Sequence, residues 1–244
     1  MTPAQVADIV EVARLSCVEI YDPNSTAFRQ VWNIGGVVFG FATADGIGRF
    51  IFRGTDDVRD VLIDAEALPV SHGALGVIHE GGWQGMAVAF DEARQYFGPR
   101  NQLGGHSLGG MHASIFAGLC ATYGVPVELL SVYESPRAGY STLRDLVAGH
   151  CGQVFGTKNG RDPVPHLPLT LPGQPWVDVA QYVELNEAPA SECLDLLGQD
   201  YHTGTLIYAG VQKWAAAALL ALAANPASSV GQIGTEVPTG ATLA

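Results

Sequence analysis

Near the middle of the chain the run Gly104-Gly105-His106-Ser107-Leu108-Gly109-Gly110 sets one serine inside a G-x-S-x-G pentapeptide, with strand-like sequence before it and helix-like sequence after it. A serine carried on a strand-to-helix turn that sharp brings strand and helix backbones close together. Small residues must therefore flank it, and Gly105 and Gly109 do. The pattern constrains the whole fold, because a strand that ends on a serine and turns straight into a helix belongs in a sheet with helices packed against it. Five residues are few, so the chemistry depends on whether partner groups follow in a usable order.

The flanking sequence has the organisation this turn demands. Val6, Ile9, Val10, Ala13 and Cys17 repeat at helical spacing over residues 5–18, and strand-like runs at 35–42 and 49–52 are joined through Asp45-Gly46, a strong hairpin signal. Trp83, Met86, Phe90, Ala93 and Phe97 predict a helix ended by Gly98-Pro99, and only a brief strand fits between that break and the serine. Beyond Ser107 the spacing predicts a helix to Leu119, a strand at 127–133, a helix at 142–148, strands at 151–155 and 176–185, and a closing helix at 206–224. This alternation is expected to give an α/β fold with a mostly parallel central sheet and helices on both faces. A chain of 244 residues with 48% apolar and 15% charged side chains is expected to form one domain over residues 1–244, its Gly-, Pro-, Ser- and Thr-rich residues 225–244 reading as a loop-like tail.

Charge and composition exclude several classes. Twenty-four acidic against twelve basic residues give a net charge of −12, and no Lys/Arg cluster is present to attract nucleic acid or an anionic membrane. The longest uninterrupted apolar run, Trp214 to Ala224, is 11 residues, short of the roughly 20 needed to span a bilayer, so it reads as a core helix and no integral membrane association is expected. Cys17, Cys120, Cys151 and Cys193 form no C-x-x-C pair and read as buried free thiols, with no metal motif. The N-terminus lacks the charged, apolar and small-residue regions of a signal peptide, which implies a cytoplasmic chain or the mature form of a secreted one.

An activated serine needs a base and a group that orients the base. Four histidines follow Ser107: His112 lies five residues along the next helix, His150 ends a helix, His166 sits in the proline-framed loop Pro163-Val164-Pro165-His166-Leu167-Pro168, and His202 lies in a polar loop before the last helix. Loop placement after the late strands favours His202, with His166 second. For the acid, Asp162 stands beyond the strand that starts at Cys151, on the sheet edge where such sites assemble, with Asp178, Asp195 and Asp200 as rivals. Asp162 also suits a turn before Pro163. An oxyanion needs two donors. The amide of Leu108 is one, and Thr55 in Phe52-Arg53-Gly54-Thr55 is placed to be the second, with Asp64 available to orient its hydroxyl. Thr55 equally suits a helix cap, and the two roles are compatible.

Taken together these blocks resemble the class 3 lipases, the fungal-type triacylglycerol lipase family within the α/β-hydrolases. The resemblance is carried in order by Phe52-Arg53-Gly54-Thr55, Ile78-His79-Glu80-Gly81-Gly82-Trp83, Gly105 to Gly110, Ser135-Pro136-Arg137-Ala138-Gly139 and Asp162 to Pro168, over about residues 30 to 210. It implies an α/β-hydrolase-like fold and a serine carboxylic ester hydrolase that needs no cofactor or metal and takes a small-molecule or lipid ester. It places the nucleophile on Ser107, the acid on Asp162, the base on His202 and the oxyanion pair on Thr55 and Leu108, and it leaves His79, His106 and His166 structural. The chain departs from the family at Glu134, where glycine is frequent, at the polar residues Asn101 to Leu103 before the serine, and at an extra residue near Glu80 to Trp83. The segment from Asp64 to Val77, where these lipases carry an apolar lid, is mostly small residues and would make a poor interfacial helix. Soluble or short-acyl esters are therefore expected substrates. An acyltransferase, a phospholipid, thioester or aromatic-ester hydrolase, and a non-catalytic binding protein on the same fold are the alternatives.

Overall fold

The computed structural model describes residues 1–55, 68–160, 162–187 and 202–224. The first helix, α1 (Pro3–Cys17), starts where its sequence directs: Thr2 Oγ1 accepts from the Gln5 amide at 3.2 Å, Gln5 Oε1 accepts from the Thr2 amide at 2.7 Å, and Pro3 takes the first helical position. Three antiparallel strands follow, β1 (Gln30–Ile34), β2 (Val37–Ala44) and β3 (Ile47–Phe52). The Asp45-Gly46 turn between the last two has positive φ at both residues, as a two-residue hairpin requires. Strand β1 was not expected; its burial is shallow, so the two-residue periodicity that marks a half-buried strand is weak in its sequence.

A small hairpin of β4 (Pro69–Ser71) and β5 (Val77–His79) leads to α2 (Glu80–Trp83) and α3 (Met86–Ala93). The single helix expected over 83–97 is thus interrupted. Gly85 sits at φ +74°, and a Cβ there would lie 2.4 Å from the Ile34 carbonyl oxygen, so the chain turns at this point to pass β1. The parallel half then runs β6 (Asn101–His106), α4 (Leu108–Tyr123), β7 (Leu129–Tyr133), α5 (Ser141–His150), β8 (Val154–Asn159), β9 (Tyr182–Leu185) and α6 (Gly204–Ala224). The expected strand 176–185 is confined to its last four residues. Trp176, at its expected start, is buried, and Val177 makes only an isolated bridge to Gly139.

The seven-stranded sheet has the order β1-β2-β3-β6-β7-β8-β9, antiparallel through β3 and parallel from β3 onward. Alternation along each strand splits the core into two layers. Phe50, Phe52, Leu103, Leu130 and Val132 face one side with Phe39, Phe90 and Phe116, under α3, α4 and α5. Ile51, Leu129, Tyr133 and Phe155 face the other with Ile9, Leu15, Val211 and Trp214 of α1 and α6. This is the α/β-hydrolase-like architecture, a mostly parallel sheet with helices on both faces.

The 11-residue apolar run proves to be the end of a 21-residue helix, α6, which contains an 18-residue window of mean hydropathy 1.5. By length and composition α6 is apolar enough to cross a membrane. It buries Ile207, Val211, Trp214, Ala215 and Ala218 on the core and leaves Leu219 and Leu220 exposed, so it is a core helix along one face only.

Candidate active site

Ser107 stands between β6 and α4 at φ 57°, ψ −133°, a conformation that a residue with a Cβ adopts only when its surroundings hold it there. The surroundings are backbone. A Cβ at Gly105 would lie 2.2 Å from the Gly109 carbonyl oxygen, and one at Gly109 would lie 2.1 Å from that of Phe52, so only glycine fits at either place. This close approach locks the strand, the helix and the end of β3 into one unit, and it raises the serine at the C-terminal edge of the parallel sheet.

The two groups expected beside the serine arrive from later in the chain. Asp162 follows β8 and is 2% exposed; its amide donates to the Asn159 carbonyl at 2.9 Å, and its Oδ1 accepts from the Val164 amide at 2.9 Å. His202, 3% exposed, donates from Nδ1 to Asp162 Oδ2 in a short hydrogen bond. With Nδ1 carrying the proton, Nε2 of the neutral ring is an acceptor. Within the described residues, that nitrogen and Ser107 Oγ are both buried without a hydrogen-bond partner.

His202 is fixed against the elbow by His106, the residue before the serine. His106 Nε2 lies 2.9 Å from the His202 carbonyl oxygen, and the two rings are 4.7 Å apart between centroids. Because a carbonyl only accepts, Nε2 of His106 is the protonated nitrogen. Nδ1 then accepts from the Tyr21 hydroxyl at 3.2 Å, and the Tyr21 oxygen accepts from the Gly54 amide at 3.0 Å. Burial first, and the neighbouring His202 second, push the His106 pKa well below the usual histidine range, so the ring stays neutral in this relay.

The oxyanion candidates flank the serine. Leu108 is the first residue of α4, where an amide has no acceptor within its own helix. Thr55, half-buried, follows Gly54 in the loop after β3. A Cβ on Gly54 would sit 2.6 Å from the His106 carbonyl oxygen and 3.0 Å from Ser107 Cβ, which places Thr55 one residue from direct contact with the elbow. Asp64, expected to orient the Thr55 hydroxyl, lies outside the described residues, as do Asp195, Asp200 and Cys193.

The rivals among the described residues lie apart from the His202–Asp162 pair. His166 is exposed, and its carbonyl accepts from Arg137 Nη1 at 3.0 Å, which ties the Ser135–Gly139 block to the proline-framed loop. His150 Nε2 binds the Val125 carbonyl at 2.6 Å. His112 is buried on α4, where burial and then neighbouring His79 lower its pKa to about 4. Asp178 pairs with Arg137 and Lys158. Cys17, Cys120 and Cys151 are free and buried. Among the described residues, no group of three or more His, Cys, Asp or Glu is arranged to hold a metal ion.

Two participants were not foreseen in these roles from sequence. Tyr21 carries no local motif, since it reaches the site only through the fold. Glu134 was visible as a departure, a carboxylate at the end of an apolar strand. It is fully buried at φ 49°, with Oε1 accepting from Thr157 Oγ1 at 2.9 Å and Oε2 from the Asn159 amide at 2.7 Å.

Comparison with known proteins bears on the family and the fold. The family model for lipase (class 3) matches residues 49–171. Among solved structures, the chain is similar to the triacylglyceride lipase of Rhizomucor miehei, with a TM-score of 0.65, 18% identity and coverage of 84% of this chain and 98% of that one. It is similar to a lipase from Rhizopus microsporus var. chinensis (TM-score 0.61, 16% identity, 78% and 77% coverage). A third match is a triacylglycerol lipase whose catalytic centre is described as a serine protease triad (TM-score 0.55, 22% identity, 68% and 74% coverage). At these identities the structural likeness speaks for the fold. No curated protein sequence matches the chain.

Proposed function

The chain belongs to the class 3 lipase family and is a carboxylic ester hydrolase, and from that premise we propose that Ser107, His202 and Asp162 form its catalytic triad. The observation that carries the reading is the short His202 Nδ1–Asp162 Oδ2 hydrogen bond beside the strained serine. It leaves His202 Nε2 as a buried acceptor which, like Ser107 Oγ, has no hydrogen-bond partner among the described residues.

In the proposed reaction Ser107 Oγ attacks the ester carbonyl carbon as His202 Nε2 takes its proton. Asp162 steadies the resulting imidazolium, and the amides of Thr55 and Leu108 receive the developing oxyanion. Collapse of the tetrahedral intermediate passes the proton from His202 to the leaving alkoxide and leaves an acyl-serine. Water, deprotonated by His202, then releases the acid and restores the serine.

The favoured substrates are soluble or short-acyl esters. Support comes from the segment before Val77: residues 69–79 form the β4–β5 hairpin rather than an amphipathic helix, and the preceding residues 56–67, outside the described residues, include four Asp and one Glu in their sequence. A panel of p-nitrophenyl esters of rising acyl length, assayed with wild type and with Ser107→Ala, tests both statements. Turnover by wild type is expected to peak at short chains and to fall by about 10⁴-fold or more in the variant. Undiminished turnover by Ser107→Ala removes the triad, and a rise in kcat/KM toward long chains at an oil interface removes the substrate preference.

A further inference from the structure

Ser107, Glu134 and Asp162 leave the C-terminal edges of three successive parallel strands. His106 pairs with Tyr133 and Tyr133 with Thr157, so Ser107 and Glu134 are each the first residue past a registered pair. Asp162 follows three residues after Asn159, the last residue of β8. Glu134 is thus a carboxyl group inserted under the site, at a position whose φ of 49° favours glycine. No cation pairs with it among the described residues. Its two oxygens accept from Thr157 Oγ1 and the Asn159 amide, and the Asn159 carbonyl in turn accepts from the Asp162 amide at 2.9 Å, so the two acidic residues flank Asn159 and interact electrostatically.

Two carboxylates cannot both be charged in such a place. Asp162 is already committed as acceptor to the Val164 amide and His202 Nδ1, which leaves Glu134 to supply a donor by keeping its proton. We infer that Glu134 is a positioning residue for the triad, a buried carboxylic acid whose O–H donates to the Asp162 carboxylate and so fixes that group and tempers the charge it presents to His202. This rests on the triad proposed above. Burial, and then the charge of Asp162, hold the Glu134 carboxyl well above the ordinary range, in accord with a retained proton. The other titratable groups around it are buried Cys17 on α1 and half-buried Tyr182 on β9, both pushed toward their neutral forms, and His202 beyond Asp162. None supplies a positive charge that would favour an ionised Glu134.

The experiment combines a spectrum with a pH profile. In the infrared difference between wild type and Glu134→Gln near pH 7, the carbonyl stretch of a protonated carboxylic acid is expected; its absence overturns the proposal, whatever the variants do. In kcat/KM against pH on a short-chain ester, Glu134→Gln keeps a neutral donor and is expected to leave the acid limb within about 0.2 unit of wild type. Glu134→Gly removes the donor and is expected to move that limb upward by about 0.5 to 1 unit, because an untempered Asp162 favours the imidazolium. Its kcat should fall several-fold with KM little changed. A limb that moves downward in Glu134→Gln shows an ionised Glu134, and one that stays in place in folded Glu134→Gly shows a space-filling residue. Either result overturns the proposal. Ser107→Ala, run alongside, separates this failure from failure of the triad, which alone predicts that the serine variant is inactive.

Discussion

Tyr21→Phe isolates one hydroxyl in the relay that joins the Gly54–Thr55 loop, the proposed oxyanion loop, to His202, the proposed catalytic base. The substitution keeps the ring, and with it the Arg53 guanidinium stacked 5.4 Å from the ring centroid. It removes a donor from His106 Nδ1 and an acceptor from the Gly54 amide. A buried polar group left without its partner costs about 1–3 kcal/mol. The groups left without partners are the amide of half-buried Gly54 and Nδ1 of buried His106, so at about 1 kcal/mol or more for each the sum is at least about 2 kcal/mol. For a chain of this size a loss of that magnitude lowers Tm by roughly 4–8 °C. The catalytic effect should exceed what the stability loss alone gives. Without its anchor Gly54 no longer fixes Thr55, and kcat on a short-chain ester is expected to drop about 10-fold with KM nearly unchanged, bounded by the 10²–10³ that loss of a whole oxyanion donor costs. Thermal unfolding by circular dichroism and steady-state kinetics at 25 °C read the two effects separately. A lowered Tm with unchanged kcat would falsify the claim that the relay positions the oxyanion loop, and an unchanged Tm would show that the hydrogen bonds themselves are of no consequence.

Two further outcomes follow from the packing. Gly109→Ala drives a Cβ to 2.1 Å from the Phe52 carbonyl oxygen, with no flexible side chain able to yield; it should cost about 3 kcal/mol or more and reduce ester hydrolysis further than its Tm implies, and a variant as stable and active as wild type would mean that β3 and the elbow are not locked together. His112 is buried with its pKa lowered from 6.5 to about 4, so the unfolded chain takes up a proton below pH 6.5 that the folded chain refuses until about pH 4. Its neutral burial therefore stabilises fully above pH 6.5 and loses up to about 3 kcal/mol as pH falls across that window. In urea unfolding between pH 7 and 4.5, His112→Gln should flatten the decline by about one proton, and an unaltered slope would show that His112 is not the group responsible.

The elements that sequence revealed well are those whose signals are local. The Thr2–Gln5 cap, the Asp45-Gly46 hairpin turn, the glycines around Ser107 and the alternating strands each act within a few residues, and the structure places them accordingly. Selection of His202 and Asp162 rested on chain order and loop position, and the fold brings them together across 40 residues. What sequence did not show is of another kind. The break at Gly85 is dictated by the passing carbonyl of Ile34, more than fifty residues earlier in the chain, and Tyr21 joins Gly54 and His106 only because α1 ends beside the edge of the sheet. Trp176 reads as the start of a strand but buries its ring between His79 and Tyr140 instead, a tertiary demand that outweighs its β-propensity.

The distribution of strain argues that Glu134 and Ser107 belong to one device. Among the described residues three non-glycine positions have positive φ: Asp45, Ser107 and Glu134. Asp45 is accounted for by its hairpin, where aspartate tolerates the left-handed region. The other two lie side by side on neighbouring strands, and each carries roughly 1–3 kcal/mol of backbone strain that the fold must over-determine. For Ser107, itself buried, the return under the proposed triad is the placement of its Oγ as nucleophile. Glu134 has no exposed surface, so its return has to be internal. The side chain meets the Thr157 hydroxyl and the Asn159 amide and interacts electrostatically with Asp162, whose carboxylate accepts from His202, the proposed base. Glycine would relieve the strain and packing alone does not require a buried acid here, so the carboxyl group at Glu134 argues for the positioning role proposed above.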